Sequence, residues 1–141
     1  MGDAPGRVPV TCGDPKGDAD LIDLAGRIML THAIDPRHAM CVLGIDRPEA
    51  EELIHAGRLW VPLGVVRQGR LRLFVNILMR LEHRLHHDSG AIRYALDAPL
   101  DALGGAAPAN LLGGSLEDLR RVRGAIDAVE APKIKWWRIG H

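Results

Sequence analysis

Apolar positions recur at spacings of three and four along most of the chain, a pattern that predicts helices throughout and an all-α fold. The longest such run is Leu71, Phe74, Val75, Leu78, Leu81 and Leu85, broadened by Leu73 and Ile77, and it predicts a helix from about Gln68 to His87. The stretch from Leu71 to His87 would extend roughly 25 Å at helical rise, enough to act as the central strut of a small domain. Upstream, Leu21, Leu24 and Ile28, joined by Ala25 and Leu30, predict a helix that begins at Asp20, with Asp18 or Asp20 as its cap, and stops near Ile34-Asp35-Pro36. A short helix fits Pro36 to Leu43, with Asp35 as cap and Gly44 closing it. Another fits Pro48 to Ala56, capped by Asp46 or Arg47 and closed by Gly57. Trp60-Val-Pro-Leu-Gly64 reads as a connector. Asp88 or Ser89 caps a short helix over Ala91 to Leu96, and Ser115 caps a last one whose stripe is Leu116, Leu119, Val122, Ile126 and Val129.

Between those last two helices the pattern breaks. Pro99 to Leu112 holds two prolines, the pair Gly104-Gly105 and four leucines in fourteen residues. Pro99 biases Ala98 toward extended backbone and stops the helix before it. The glycines permit positive φ, and Pro108 suits the first turn of a new helix. The expected product is helix, tight corner, helix, with Leu100, Leu103, Leu111 and Leu112 anchoring the corner from both sides. A rigid apolar corner is a natural docking place for another polypeptide, and equally a plain inter-helix turn.

The spacing P-x3-L-G-G-x2-P-x2-L-L in this stretch resembles the signature of the Xre/MbcA/ParS-like toxin-binding domain, carried by antitoxins that neutralise RES-domain toxins. Ala95, next to Tyr94, stands where that family usually has tryptophan, and Ala106-Ala107 stands where it has a polar pair. The resemblance spans about residues 20 to 131. It implies a helix-turn-helix-like region over residues 19–64 packed on a long central helix and a small C-terminal helical toxin-binding domain over 65–131. It further implies a non-enzymatic cytoplasmic homodimer, partnered by a RES-type toxin that consumes NAD, whose active-site entrance it covers. The corner residues Pro99, Leu100, Leu103, Gly104, Gly105, Pro108, Leu111 and Leu112 would then touch the toxin.

The two short helices after the first one read as a helix-turn-helix, which opens a second function, a transcriptional regulator working through residues 36–58, alone or as the autoregulatory half of an antitoxin. The helix in the recognition position carries Glu49, Glu51 and Glu52, which suit its dipole but repel phosphates. Only Arg47, His55 and Arg58 offer the opposite sign for a DNA operator. Six arginines, Arg67, Arg70, Arg72, Arg80, Arg84 and Arg93, surround the long helix against Glu82 and Asp88. A solvated basic face is the ordinary explanation of such a cluster, and contact with phosphate or an acidic partner is the other.

Composition narrows the field further. The chain has 141 residues, enough for one core, with 47% hydrophobic and 26% charged residues, an ordinary globular balance. Eighteen basic residues match eighteen acidic ones, which argues against a surface tuned throughout for nucleic acid. Two cysteines, Cys12 and Cys41, give no disulfide framework and fit a reducing cytoplasm. No apolar run reaches membrane-spanning length, no secretory leader is visible and no repeat recurs. Residues 1–18 hold four glycines, three prolines and three aspartates and read as a flexible tail.

Candidate chemistry is sparse. His83 and His87 stand four apart beside His86, a spacing that could place two metal ligands on one helix face, but no third ligand lies near in sequence. Surface imidazoles at a helix C-terminus account for the cluster without metal. No phosphate loop, dinucleotide fingerprint or nucleophile elbow is present, so neither an enzyme nor a cofactor is expected. The tail over 132–141 alternates Lys133, Lys135 and Arg138 with Ile134, Trp136, Trp137 and Ile139. Lys135, Trp136, Trp137 and Arg138 would anchor an interface or fold back over their own core.

Overall fold

The structure is a computed structural model that describes residues 15–129, and all regular elements among them are helical. In chain order these are α1 (Pro15–Thr31), α2 (Pro36–Leu43), α3 (Arg47–Ala56), α4 (Gly64–Arg84) and α5 (Ser89–Asp97), then a 3-10 turn at Asp101–Leu103, α6 (Pro108–Leu111) and α7 (Leu116–Ile126). No helix among the described residues is long and apolar enough to cross a membrane.

The long α4 organises the rest. Leu71, Phe74, Ile77, Leu78 and Leu81 are wholly buried, and Leu73 and Val75 nearly so, which leaves α4 covered on most of its circumference. Against it lie α1, α2, α5 and α7. The buried face of α7 is the expected one, Leu119, Val122 and Ile126, with Leu116 and Val129 at its margin.

Two helices differ from the sequence expectation by more than two residues at an end, while α3 and α5 shift by only one or two. α1 begins at Pro15 rather than Asp20, because a proline at the first helical position lacks only an N–H that has no intrahelical partner anyway. Its buried face is also turned by a residue: Ile22, Ala25, Ile28 and Met29 are buried, Leu21 and Leu24 flank them, and Leu30 points to solvent. α4 begins at Gly64 rather than Gln68 and ends at Arg84 rather than His87. The added first turn carries Val65 and Val66 into solvent, where no hydrophobic period marks it.

Capping follows the sequence closely. Asp35, Asp46, Asp88 and Ser115 accept the backbone N–H of Arg37, Glu49, Ala91 and Asp118 respectively. At the start of α7 the bond is reciprocated by the Asp118 carboxylate, forming a capping box.

α1 and α3 cross at Gly26. A Cβ built there would overlap the carbonyl oxygen of Leu53, so the two backbones approach as closely as glycine alone allows. Gly124, in α7, faces open space. Alanine is the better helix former by about 1 kcal/mol in both helices, but the clash reverses the sign at one of them. Gly26→Ala is expected to destabilise the fold by about 2 kcal/mol or more, and Gly124→Ala to stabilise it by up to about 1 kcal/mol, both read from urea midpoints at unchanged slope.

Candidate functional site

The corner between α5 and α7 is a closed loop. Ala98 is extended, as a residue before proline should be, with φ −90° and ψ 138°. The Leu100 N–H donates to Ala106 O at 3.1 Å and the Gly105 N–H donates to Leu100 O at 3.0 Å, pinning the two ends of the loop together. The 3-10 turn lies between them. Gly104 and Gly105 have φ of 68° and 88°, and a Cβ at either would meet nothing within 4 Å. Their requirement is therefore conformational and not one of space.

The corner's leucines face inward. Leu103 and Leu112 are buried at 4% and 0% exposure, Ala107 and Pro108 are also buried, and Leu100 and Leu111 are half-buried against the same core. With few aromatics in the chain, these leucines are needed to fill the interior. The outward arc consists of Pro99, Asp101, Ala102, Gly104, Gly105 and Asn110. Of the residues expected to meet a partner, Pro99, Gly104 and Gly105 are on that arc, while Leu103, Pro108 and Leu112 support it from beneath. Lys135, Trp136, Trp137 and Arg138 lie outside the described residues.

What fastens the corner to the strut is Arg70. Its guanidinium donates to Val42 O at the end of α2, to Gly114 O, and to Leu112 O at 2.7 Å. The other basic residues around α4 do related work. Arg67 donates to Leu43 O at 2.9 Å, Arg84 to Val129 O at 2.7 Å, and Arg93 to His32 O at 2.7 Å. Arg80 pairs with Asp127. Four of these arginines, Arg67, Arg70, Arg84 and Arg93, thus sit on backbone carbonyls at or just beyond helix ends, where the helix dipole also favours positive charge. The arginines are plain in the sequence, but the acceptors just named are not, because they lie 24 to 61 residues away.

Two of the three candidate DNA contacts, both arginines, are likewise engaged within the chain. Arg47 lies 3.3 Å from Glu51 and 3.9 Å from Asp35. Arg58 lies 2.7 Å from Glu52 and stacks 5.5 Å over the Trp60 ring. His55 is exposed.

His83 and His87 do not share a helix face. α4 ends at Arg84, and His86 and His87 take left-handed φ of 54° and 58°, which turns the chain back on itself.

A cleft of about 240 Å³ lies between α2 and α5, lined among others by Asp35, Arg37, His38, Arg93 and Asp97. Arg37 pairs with Asp97 at 2.8 Å across it. Burial pushes the His38 imidazole below its ordinary range and the adjacent Arg37 charge adds to this, with Asp97 and Asp35 opposing.

Two outcomes follow from this geometry. Arg70→Met strands three carbonyls and is expected to cost about 2–3 kcal/mol in denaturant unfolding; Arg70→Lys should recover less than half, since an ammonium cannot span acceptors set for a planar fork. For His38 the folded state resists protonation more than the unfolded chain. Its contribution is complete above about pH 6.5 and is lost as pH falls below that value. Melting temperatures measured from about pH 7 down to about pH 5 should therefore drop, and drop less in His38→Gln. Comparison of the chain with known protein families, curated proteins and solved structures gives no match.

Proposed function

We propose that this chain is the antitoxin of a type II toxin–antitoxin pair, a homodimer that binds a cognate RES-type, NAD-consuming toxin and covers its active-site entrance. The observation that carries the reading is the corner itself: the Pro-x3-Leu-Gly-Gly-x2-Pro-x2-Leu-Leu sequence forms a loop closed by its own hydrogen bonds, seated on buried leucines and fastened by Arg70. A surface already fixed before binding loses little conformational freedom on docking, which favours affinity for a protein partner. The protein is then a steric inhibitor with no catalysis of its own.

The transcriptional-regulator reading draws on the brief Gly44-Ile45-Asp46 turn between α2 and α3, an arrangement compatible with a helix-turn-helix. The pairing of Arg47 and Arg58 with carboxylates counts against it, because a DNA-reading helix needs its donors free for phosphates and base edges.

Co-expression with the toxin encoded next to it should restore growth. Ala102→Arg and Asn110→Arg, both at exposed positions, should weaken toxin binding by about tenfold or more while the fold persists, and truncation at Ala131 should reduce rescue. Full rescue by both corner variants would overturn the reading. Gel-shift titration on the protein's own promoter at rising salt is expected to give no specific, salt-sensitive complex.

A further inference from the structure

One cluster has no part in the corner. His32 follows the end of α1, Glu82 sits in the last turn of α4 and His87 lies just past it, and one ligand atom from each lies within 4.8 Å of the other two. His32 Nε2 is 2.7 Å from Glu82 Oε2, and His87 Nδ1 is 3.7 Å from the same oxygen. We propose that His32, Glu82 and His87 form a binding site for a divalent transition ion, zinc above all, with water in the fourth position.

The donor set is the first argument. Two imidazoles and one carboxylate are a ligand combination of open tetrahedral zinc sites, and imidazole selects zinc-like ions over magnesium and calcium. Geometry is the second. Bonds of about 2.0–2.1 Å place tetrahedral ligands roughly 3.3–3.4 Å apart, so the His87–Glu82 pair already has nearly the right separation. The His32–Glu82 hydrogen bond must open by roughly 0.6 Å to admit the ion.

The surroundings supply the third. His32 is 2% exposed, its carbonyl is held by Arg93, and its Nδ1 lies 2.6 Å from Ser89 Oγ. On loading, Nδ1–H donates to that hydroxyl and Nε2 offers its lone pair to the ion, the outer contact fixing ring and tautomer together. The His87 side chain, 71% exposed, leaves a path for the ion to enter. Two consecutive non-glycine residues in left-handed backbone bring that ring back toward Glu82, a conformation that costs energy and recurs where side chains must be aimed. An ion here would clip the end of α1 to the end of α4, joining residues 50 and more positions apart.

The test is calorimetric titration of the untagged, chelator-treated full chain with zinc, and separately with magnesium and calcium. The expected result is one equivalent of zinc, a raised melting temperature, and no response to the other two. His87→Gly, which keeps the left-handed turn without the ring, and Glu82→Gln should each lose about tenfold or more in affinity with the helical circular dichroism retained. His83→Ala and His86→Ala should bind as the parent does. No stoichiometric uptake, uptake that survives His87→Gly, or uptake abolished by His83→Ala would each overturn the proposal. None of these readouts depends on a toxin, so the site and the antitoxin reading stand or fall separately.

Discussion

Burial of the apolar girdle of α4 is the constraint on which the remaining structure depends. Helices shorter than about 12–15 residues are marginal in water by themselves, and α2, α3, α5, α6 and α7 all fall in that class. Each acquires its stability by covering part of Leu71, Phe74, Ile77, Leu78 and Leu81 or by packing on a helix that does. The strut in turn has seven buried apolar side chains that water would meet without that cover. Strut and cover are therefore mutually conditional, as expected of a single core in a chain of this size.

Apolar burial brings the helices together without fixing how their ends meet. That second task falls to arginine. Short helices have a high proportion of terminal carbonyls, and in this molecule many of those near α4 receive a guanidinium from elsewhere in the chain. Arg67 and Arg70 serve the end of α2, Arg93 serves the residue after α1, and Arg84 serves the segment after α7. A cluster that reads as a basic surface is in this way largely a set of internal fasteners.

Much of this is legible in the sequence alone. The stripe of α4 and the caps at Asp35, Asp46 and Ser115 depend on residues close in sequence, so periodicity and capping rules reach them. The start of α1 escaped because Pro15 lies in a stretch whose glycines and prolines read as tail. The first turn of α4 escaped because its Gly64, Val65 and Val66 give no buried period. The corner's shape was readable from Pro99, Gly104-Gly105 and Pro108, but the direction in which its leucines point was not: whether a leucine fills a core or a surface depends on what else is available to fill that core. His32 was invisible as a partner of Glu82 and His87 for a similar reason, since nothing local marks a histidine at a helix end as facing residues fifty positions on.

Arg70 joins the end of α2 to the far side of the corner through one planar group on α4. Local fluctuations of a protein normally release its loops one at a time, at a small fraction of the energy of global unfolding. Here the loop's exit at Leu112 and Gly114 cannot swing away without breaking bonds to the same guanidinium that holds the Val42 carbonyl of α2. One side chain thereby links the two regions, and the loop is tied to the strut instead of hanging from it as an appendage.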